Sequence, residues 1–306
     1  MYKFEKILVG LDQSDMDTQL IDAVCKVCQM SGSKEVYFIN FIRDFHMPEE
    51  LQKEFPDLLQ KAIDERLKQI KLDVERIFTC PGVNVNYIVR QGQPTKEIMN
   101  FAHSKEIDLI VLGRKNEKPS GGVIINRLAR RATCSLMIIP RGQETKLDKI
   151  LVPSDFSDYS KDALEKAVEL ARNNDGETEI VIQNVYQVPS GYHYTGKTFD
   201  EFADVMVKHA EKDFKKFVSG LDLSDVKTTT LYTLDRLEDV ITYIYSEARS
   251  QEADIVIIGA KGRTAAAALF IGSKAEKLIQ INQEIPMIIV RPKGKSAGFR
   301  EYLKEL

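Results

Sequence analysis

Three glycines and one serine at fixed spacing are the residues of this chain best suited to bind a ligand. They follow the apolar run 254–258, precede a helical pattern, and read Gly-x2-Gly-x9-Gly-Ser at Gly259, Gly262, Gly272 and Ser273. Glycines allow a backbone to approach an anion closely, and the first N–H groups of a helix attract negative charge. The serine hydroxyl can donate a further hydrogen bond. The pattern therefore predicts a site for a phosphate group.

Another interpretation of these residues is a flexible strand-to-helix loop, with Gly272 and Ser273 as an ordinary helix cap. The pattern lacks the Gly-Lys-Ser/Thr ending of a Walker A loop, and it lacks the Gly-x-Gly-x-x-Gly spacing of a dinucleotide loop. These two absences argue against a P-loop NTPase and against an NAD enzyme.

The first half of the chain contains the same region in a broken form. Gly113 is kept, Asn116 takes the position of the second glycine, and the nine-residue spacer shrinks to residues 117–121. Val123, which follows Gly122, replaces the serine and has no hydroxyl to donate. We therefore expect the first copy to bind a triphosphate poorly or not at all, although its glycines could still hold a smaller anion.

Both regions belong to a repeat that covers the whole chain. The matching segments are 6–14 with 149–157, 108–113 with 254–259, and 135–140 with 286–291. Two whole domains are therefore expected rather than a short solenoid repeat, and 306 residues suit about two domains. We place these domains at residues 1–143 and 147–292, with a C-terminal tail at 293–306.

Each copy alternates short apolar runs with helical periodicity. In the second copy, strands are predicted at 149–153, 179–186, 227–233, 254–258 and 286–290, and helices at 157–172, 200–219, 236–250 and 273–282. In the first copy, an apolar stripe from Leu51 to Ile70 predicts the second helix. Apolar runs without alternation indicate a parallel sheet with helical crossovers. The expected strand order, 3-2-1-4-5, places Asp155 and Gly259 where the order reverses and ligands bind.

Charge and composition exclude several classes of partner. The net charge is −3, without a polybasic tail, so nothing supports binding to nucleic acid. No apolar run reaches the roughly 18 residues of a membrane span, and no signal peptide is apparent. The four cysteines form neither a disulfide framework nor a zinc site, which fits a reducing compartment. We expect a cytoplasmic protein without a metal site and without nucleic-acid or membrane partners.

With these motifs in both halves, the chain resembles a tandem universal stress protein over residues 3–292. The resemblance rests on the Gly-x2-Gly-x9-Gly-Ser pattern, which marks ATP-binding members of that family, and on the opening segment 149–157. It implies two flavodoxin-like (adenine nucleotide alpha hydrolase-like) α/β domains. Each would have a five-stranded parallel sheet with helices on both faces, and the two would pack as an intramolecular pseudo-dimer. We expect the fifth strands to form this contact, because they are very apolar and lie at the edge of each sheet. A homodimer of the whole chain is a further option.

The resemblance also implies a nucleotide site in the second copy. Pro153, Ser154 and Asp155 match the segment beside the base and ribose, and Val185 matches the position whose backbone contacts adenine. The phosphate region comprises Gly259, Ala260, Lys261, Gly262, Arg263, Gly272, Ser273 and Lys274. In the first copy, Phe41 or a neighbour replaces the small Val185.

Asp155 has two interpretations that can hold together. It could cap the following helix, or it could contact the ribose or a phosphate-bound metal. For Asp12, its counterpart in the first copy, we favour the cap.

The expected function is binding of ATP, or of another adenine nucleotide such as AMP, by a stress-response regulator or sensor. Mg²⁺ can accompany the phosphates without dedicated protein ligands. We find no catalytic residue, neither a general base nor a water-positioning group, so ATP hydrolysis should be slow at most. The alternatives are a phosphoryl or nucleotidyl transferase of the same superfamily and a nucleotide-free interaction module.

Overall fold

The computed structural model of the protein describes residues 3–42, 53–115, 122–143, 145–174, 177–262 and 271–291. Within it the chain divides into two units, one over residues 2–145 and the other from residue 146 onward. We refer to them as domain one and domain two.

Domain one is built around a parallel sheet with the strand order β3-β2-β1-β4-β5. Its described elements are β1 (Lys6–Gly10), α1 (Met16–Ser31), β2 (Glu35–Ile42), α2 (Leu58–Ile77), β3 (Asn84–Gln91), α3 (Pro94–Ser104), β4 (Leu109–Arg114), α4 (Val123–Arg131) and β5 (Ser135–Pro140). Helix α1 packs with α2, and α3 packs with α4.

Domain two repeats this plan with the strand order β8-β7-β6-β9-β10. Its described elements are β6 (Lys149–Pro153), α5 (Asp158–Arg172), β7 (Glu179–Tyr186), a 3₁₀ helix (Ser190–Thr195), α6 (Phe199–Phe217), β8 (Lys227–Leu234), α7 (Val240–Ser250), β9 (Ile255–Gly259), α8 (Ser273–Ile281) and β10 (Met287–Val290). The predicted flavodoxin-like α/β class and the order 3-2-1-4-5 are confirmed in both domains.

The central strands are buried on both faces, as their apolar runs predict. Ile150, Leu151 and Val152 are successive residues of β6, and each is fully buried. Because successive side chains of a strand point to opposite faces, helices must cover both sides of the sheet. The stripe on α5 supplies part of this cover, since Ala163 and Leu164 are also fully buried.

The repeat extends to individual hydrogen bonds. The backbone N–H of Lys6 donates to Oδ2 of Asp108 at 2.8 Å, and that of Lys149 donates to Oδ2 of Asp254 at 2.8 Å. In each domain an aspartate before the fourth strand therefore anchors the start of the first strand. The same polar contact in both halves fixes the register in which the two domains can be compared.

Helix α7 begins later than predicted, at Val240 rather than at residue 236. The carboxylate of Asp235 accepts hydrogen bonds from the backbone N–H groups of Leu237 (3.1 Å) and Asp239 (3.2 Å). These bonds stabilise a turn in place of the first helical turn, because aspartate side chains compete for nearby N–H groups. The prediction of the helix start was therefore wrong by four residues.

Helix α2 also begins later than its apolar stripe suggests, at Leu58. Pro56 disfavours helical backbone in the residue before it, which is Phe55. Phe55 is 48% exposed and so does not extend the buried stripe. Leu51, where the predicted stripe begins, lies outside the described residues.

The strand order creates a crevice at the carboxyl end of each sheet. In domain two, β6 pairs with β7 on one side and with β9 on the other, so the chain leaves β6 and β9 towards opposite halves of the sheet. Ligands of open α/β sheets bind at such a reversal of strand order. A ligand site is therefore expected at the loops after β6 and β9.

Candidate functional site

A cavity of about 710 Å³ opens at the carboxyl end of the domain-two sheet, within the range of roughly 300–1,000 Å³ typical of small-molecule sites. Most of the predicted site residues line it, namely Pro153, Ser154, Asp155, Val185, Gly259, Lys261, Gly262, Gly272, Ser273 and Lys274. Ala260 does not line the cavity, and Arg263 lies outside the described residues. The structure thus brings together residues from three separate loops and strands.

The loop after β6 is held by contacts that both domains share. The N–H of Ser154 donates to the carbonyl of Gln183 at 2.8 Å, and Nδ2 of Asn184 donates to the carbonyl of Ser154 at 2.8 Å. In domain one, Nδ2 of Asn40 donates in the same way to the carbonyl of Leu11, also at 2.8 Å. Because both copies have this contact, it positions the loop as part of the fold and is not specific to a ligand.

Asp155 orders the turn before α5 but does not cap the helix. Its Oδ1 accepts a hydrogen bond from the N–H of Ser157 at 3.1 Å. The cap is Ser157, whose hydroxyl accepts from the N–H of Ser160 at 3.3 Å. The interpretation of Asp155 as the cap was therefore wrong, and its carboxylate forms part of the cavity wall.

Asp12, the counterpart of Asp155, is not a cap either. The cap position of α1 is Asp15, which makes no side-chain cap bond. Asp12 accepts from the Ser14 hydroxyl at 2.6 Å and forms an ion pair with Nζ of Lys115 at 2.5 Å. Burial alone would raise the pKa of the Asp12 carboxyl, but the Lys115 and Ser14 contacts together lower it. The carboxylate thus has an internal cation as its partner.

The backbone of Val185 is open towards the cavity. The carbonyl of Gln183 accepts from Ser154, on the β6 side, whereas the carbonyl of Tyr186 accepts from the N–H of Asp235, on the β8 side, each at 2.8 Å. Backbone groups of a strand alternate between its two neighbours, so the N–H and C=O of Val185 face the β6 side. Because β6 has already ended at this level, one donor and one acceptor are presented to the cavity.

Domain one has a bulky residue at the equivalent position. The carbonyl of Ile39 accepts from the N–H of Leu11 at 2.9 Å, which matches the Gln183 contact and fixes the register. Two residues further along, Phe41 therefore takes the place of Val185. The exchange noted in the sequence is thus between equivalent positions, and it puts an aromatic ring where domain two has a small side chain.

The first glycine of the pattern is required by packing within the protein. A Cβ atom on Gly259 would lie 2.4 Å from the carbonyl oxygen of Tyr159 in the first turn of α5. In domain one, a Cβ atom on Gly113 would lie 2.7 Å from Cε of Met16 in α1. Both domains therefore keep this glycine so that a helix can approach the fourth strand. Its retention in domain one says nothing about ligand binding.

The other two glycines differ in role. A Cβ atom on Gly262 would lie 2.7 Å from Oδ2 of Asp155, so this glycine keeps the cavity wall open beside the carboxylate. The N–H of Gly272 donates to the carbonyl of Ala260 at 2.8 Å, which ties the residue before α8 to the residue that follows β9. Of the three glycines, Gly262 is the one whose small size serves the cavity.

Helix α8 begins at the cavity with exposed polar residues. Gly272 occupies the cap position, and Ser273 and Lys274, both exposed, form the start of the first turn. The first N–H groups of an α-helix have no intrahelical partner, so they can donate to an anion. At the corresponding start of α4, Val123 is 41% exposed and offers no hydroxyl.

Lys261 brings positive charge to the same end of the sheet. It is 7% exposed, and its Nζ lies 5.8 Å from the centre of the Tyr159 ring. Burial lowers the pKa of the Lys261 ammonium, and the charge of Arg291 lowers it further. An anion near Lys261 would oppose both effects, because it stabilises the charged form.

Some lining residues were missed by the sequence reasoning. Helix α6 contributes Met206, His209, Ala210 and Asp213 to the cavity wall. Their spacing follows one helical face and could have identified a common surface, but nothing in it distinguishes a cavity from ordinary packing. Gln183 also lines the cavity, and it follows the apolar run 180–182 of β7.

Two kinds of feature are absent from the described residues. No group of three or more His, Cys, Asp or Glu side chains among them is placed to hold a metal ion. None of the helices described is both long and apolar enough to cross a bilayer.

The fold and the cavity together define a class of protein. Each domain is a flavodoxin-like parallel sheet, and domain two has a small-molecule cavity where the strand order reverses. Known families narrow this class further. The model of the universal stress protein family matches residues 3–140 and again 146–291. The chain therefore belongs to the universal stress protein family, as the resemblance predicts, and contains two copies of its domain.

Relatives in sequence agree with this assignment. The chain is 26% identical to a universal stress protein of Methanocaldococcus jannaschii over 158 residues, covering 51% of this chain and 89% of the relative. It is 25% identical to the universal stress protein YxiE of Bacillus subtilis over 147 residues, covering 44% of this chain and 99% of the relative.

Solved structures share the fold over nearly the full length. A universal stress protein from Archaeoglobus fulgidus is similar with a TM-score of 0.62 at 14% identity, covering 95% of this chain and 98% of the other. A functionally unknown protein from Pseudomonas aeruginosa has a TM-score of 0.65 at 12% identity, with 99% and 98% covered. At such low identity these likenesses describe the fold alone.

Proposed function

We propose that domain two binds ATP, or another adenine nucleotide such as AMP, and that the protein is a nucleotide-dependent regulator or sensor in a stress response. The observation that carries this proposal is the cavity itself. An open backbone donor and acceptor at Val185 lie in its wall together with the exposed helix start at Ser273. These two features suit the base and the phosphates of one nucleotide.

The Val185 backbone suits an adenine base. An N–H group and a C=O group on one residue present a donor beside an acceptor. The Watson–Crick edge of adenine presents the complement, because N1 accepts and the N6 amino group donates. Protein sites commonly read this edge of an unpaired base by hydrogen bonds. The small valine side chain leaves more space for a flat ring than Phe41 does at the same position in domain one.

The start of α8 suits the phosphates. Its free N–H groups and the Ser273 hydroxyl can donate to phosphate oxygens, and the helix dipole favours negative charge there. Lys261 and Lys274 add positive charge at the same end of the cavity. Mg²⁺ would arrive with the phosphates, since no dedicated set of protein ligands is required for it.

We propose that domain one does not bind a triphosphate. The ion pair between Lys115 and Asp12 spans the loops after β4 and β1, where the nucleotide would lie in domain two. Phe41 and Val123 remove the small residue and the hydroxyl that the proposed site uses. Asn116 and residues 117–121, where the glycine pattern departs most, lie outside the described residues.

The proposal is for binding, and we assign no catalytic base. Isothermal titration of the full chain with ATP, AMP and cyclic AMP tests it, with a turnover assay on the nucleotide that binds. We expect saturable binding of an adenine nucleotide with a stoichiometry of one per chain. Absence of binding would favour a nucleotide-free interaction module, two equivalent sites would contradict the assignment of domain one, and rapid turnover would favour a transferase or ATPase.

A further inference from the structure

Gln183 is a fully buried polar side chain in the wall of the domain-two cavity. It pairs with Pro153, the last residue of β6, so it lies at the level where the cavity begins. The equivalent residue of domain one is Ile39, which is also fully buried. The fold therefore accepts an apolar residue at this position, and the amide of Gln183 needs another explanation.

The hydrogen bonds of Gln183 fix the orientation of its amide. Nε2 donates to Oγ1 of Thr233 at 3.0 Å and to the backbone carbonyl of Tyr243 at 3.4 Å. A backbone carbonyl can only accept a hydrogen bond, so the NH₂ group must lie on the Tyr243 side. The other amide atom, Oε1, is then an acceptor directed away from these two partners.

Oε1 of Gln183 is buried and accepts no hydrogen bond from any described residue. Buried polar atoms in folded proteins are nearly always hydrogen-bonded, and each exception calls for an explanation such as a ligand. Here the atom belongs to a residue that lines the cavity. The terminal torsion of a glutamine is soft, so a small rotation of the amide can direct Oε1 to a group inside it.

We propose that Gln183 is a specificity-determining residue of the nucleotide site, whose Oε1 accepts a hydrogen bond from the exocyclic amino group of the base. The side chains of Gln183 and Val185 are on the same face of β7, because they are two residues apart. A base that uses the Val185 backbone is therefore close to Gln183. An acceptor at this point favours adenine and disfavours bases with a carbonyl there, such as hypoxanthine. This inference rests on the proposed nucleotide binding by domain two.

The experiment compares ATP with inosine triphosphate, which has a carbonyl in place of the amino group. Isothermal titration is carried out on the full chain, on Gln183→Met, and on Ile39→Met as the matched control in domain one. In Gln183→Met we expect the ATP to inosine triphosphate affinity ratio to fall roughly three- to tenfold, the value of one neutral hydrogen bond. Ile39→Met should leave the ratio unchanged. Thermal unfolding verifies that the variants are folded, and Gln183→Leu serves as a second apolar replacement.

The outcomes separate this inference from the proposal on which it rests. If the wild-type chain binds neither nucleotide, the proposed function fails and the role of Gln183 fails with it. If the wild-type chain binds ATP and the ratio is the same in Gln183→Met, the proposed function stands and the role of Gln183 is refuted. A fall in affinity for both nucleotides by the same factor would also refute it, because it would show a structural role.

Discussion

At the end of the fourth strand, the two domains place equivalent lysines in different surroundings. Lys115 of domain one forms an ion pair with Asp12, whereas Lys261 of domain two lies over the ring of Tyr159. Met16 takes the place of Tyr159 in domain one, so that domain has no ring there to attract the ammonium group. In domain one, the ion pair between Lys115 and Asp12 therefore connects the two loops across the crevice.

The glycines of the pattern differ in whether they serve packing or the cavity. At both Gly113 and Gly259 an added Cβ atom would meet the start of the neighbouring helix, so packing within each domain explains this glycine. Gly262, beside the Asp155 carboxylate, lines the cavity, and its small size leaves this part of the cavity open. A glycine that both copies share can therefore be explained by packing alone, and it does not by itself indicate that a ligand binds.

The largest expected effect is the loss of ATP binding in Gly262→Val. A Cβ atom at this position would lie 2.7 Å from Oδ2 of Asp155, and the branched side chain would fill the cavity beside it. We expect no binding detectable by isothermal titration. Gly220→Val, in the loop after α6 where the nearest atom would be Lys161 Nζ at 3.6 Å, is the control and should bind normally. Unchanged affinity in Gly262→Val would refute the site.

The next effect concerns stability and compares the two retained glycines. Gly259→Ala would press a Cβ atom against a backbone carbonyl, and we expect a loss of about 3 kcal/mol in the free energy of unfolding. Gly113→Ala meets the end of the flexible Met16 side chain, and we expect a loss of about 1 kcal/mol. Urea-induced unfolding of both variants measures the difference. Equal losses would show that the two helix contacts are equally rigid.

A smaller effect is expected from the hydroxyl at the start of α8. Ser273→Ala should weaken ATP binding by about 1–2 kcal/mol, because one hydrogen bond to a charged oxygen is lost. Val123→Ala, the equivalent change in domain one, should not alter binding. Isothermal titration of both variants is the measurement. A Ser273→Ala variant with normal affinity would leave the phosphates to the backbone N–H groups alone.

The smallest effect is a pH dependence in domain one. Burial raises the pKa of Asp17 to about 6, against the opposing effect of its bonds from the N–H groups of Asp12 and Gln13. Its folded-state pKa is above the unfolded value, so its stabilising contribution is present below about pH 4 and is lost as pH rises through 6.

The free energy of unfolding of Asp17→Asn, taken relative to that of the wild type, should therefore be higher at pH 7.5 than at pH 4. We expect a difference below about 1 kcal/mol, since the carboxyl is partly exposed to solvent. Thermal unfolding at the two pH values measures it. Ser160→Ala, at the equivalent position in domain two, should show no such dependence. The same Tm difference from wild type at both pH values would argue against a raised pKa.

Much of the fold could be predicted because its signals are local. Apolar runs gave the strands of domain two to within one residue at each end, and the alternation with helices gave the parallel sheet. The start of α7 was wrong because the bonds that displace it come from the side chain of Asp235. The exact domain limits and the pseudo-dimer of the two domains stay predictions.

The candidate site was predictable where it depends on a motif and unpredictable where it depends on packing. The glycine pattern and the segment 153–155 were read from spacing and resemblance. Gln183 was missed because the two adjacent polar residues Gln183 and Asn184 do not show, from the strand pattern alone, which side of the strand faces a cavity. Ala260 was included because it lies inside the motif, yet it is buried and does not line the cavity.

The sequence by itself determined the repeat, the fold class and the family, because these follow from short-range patterns that occur twice. It also determined that the two copies differ in their glycine pattern. Only the tertiary structure decided why each glycine is there, where the backbone of Val185 is open, and that Lys115 meets Asp12. These features depend on distances between segments far apart in the chain, which the packing of helices on the sheet sets and residue spacing does not encode.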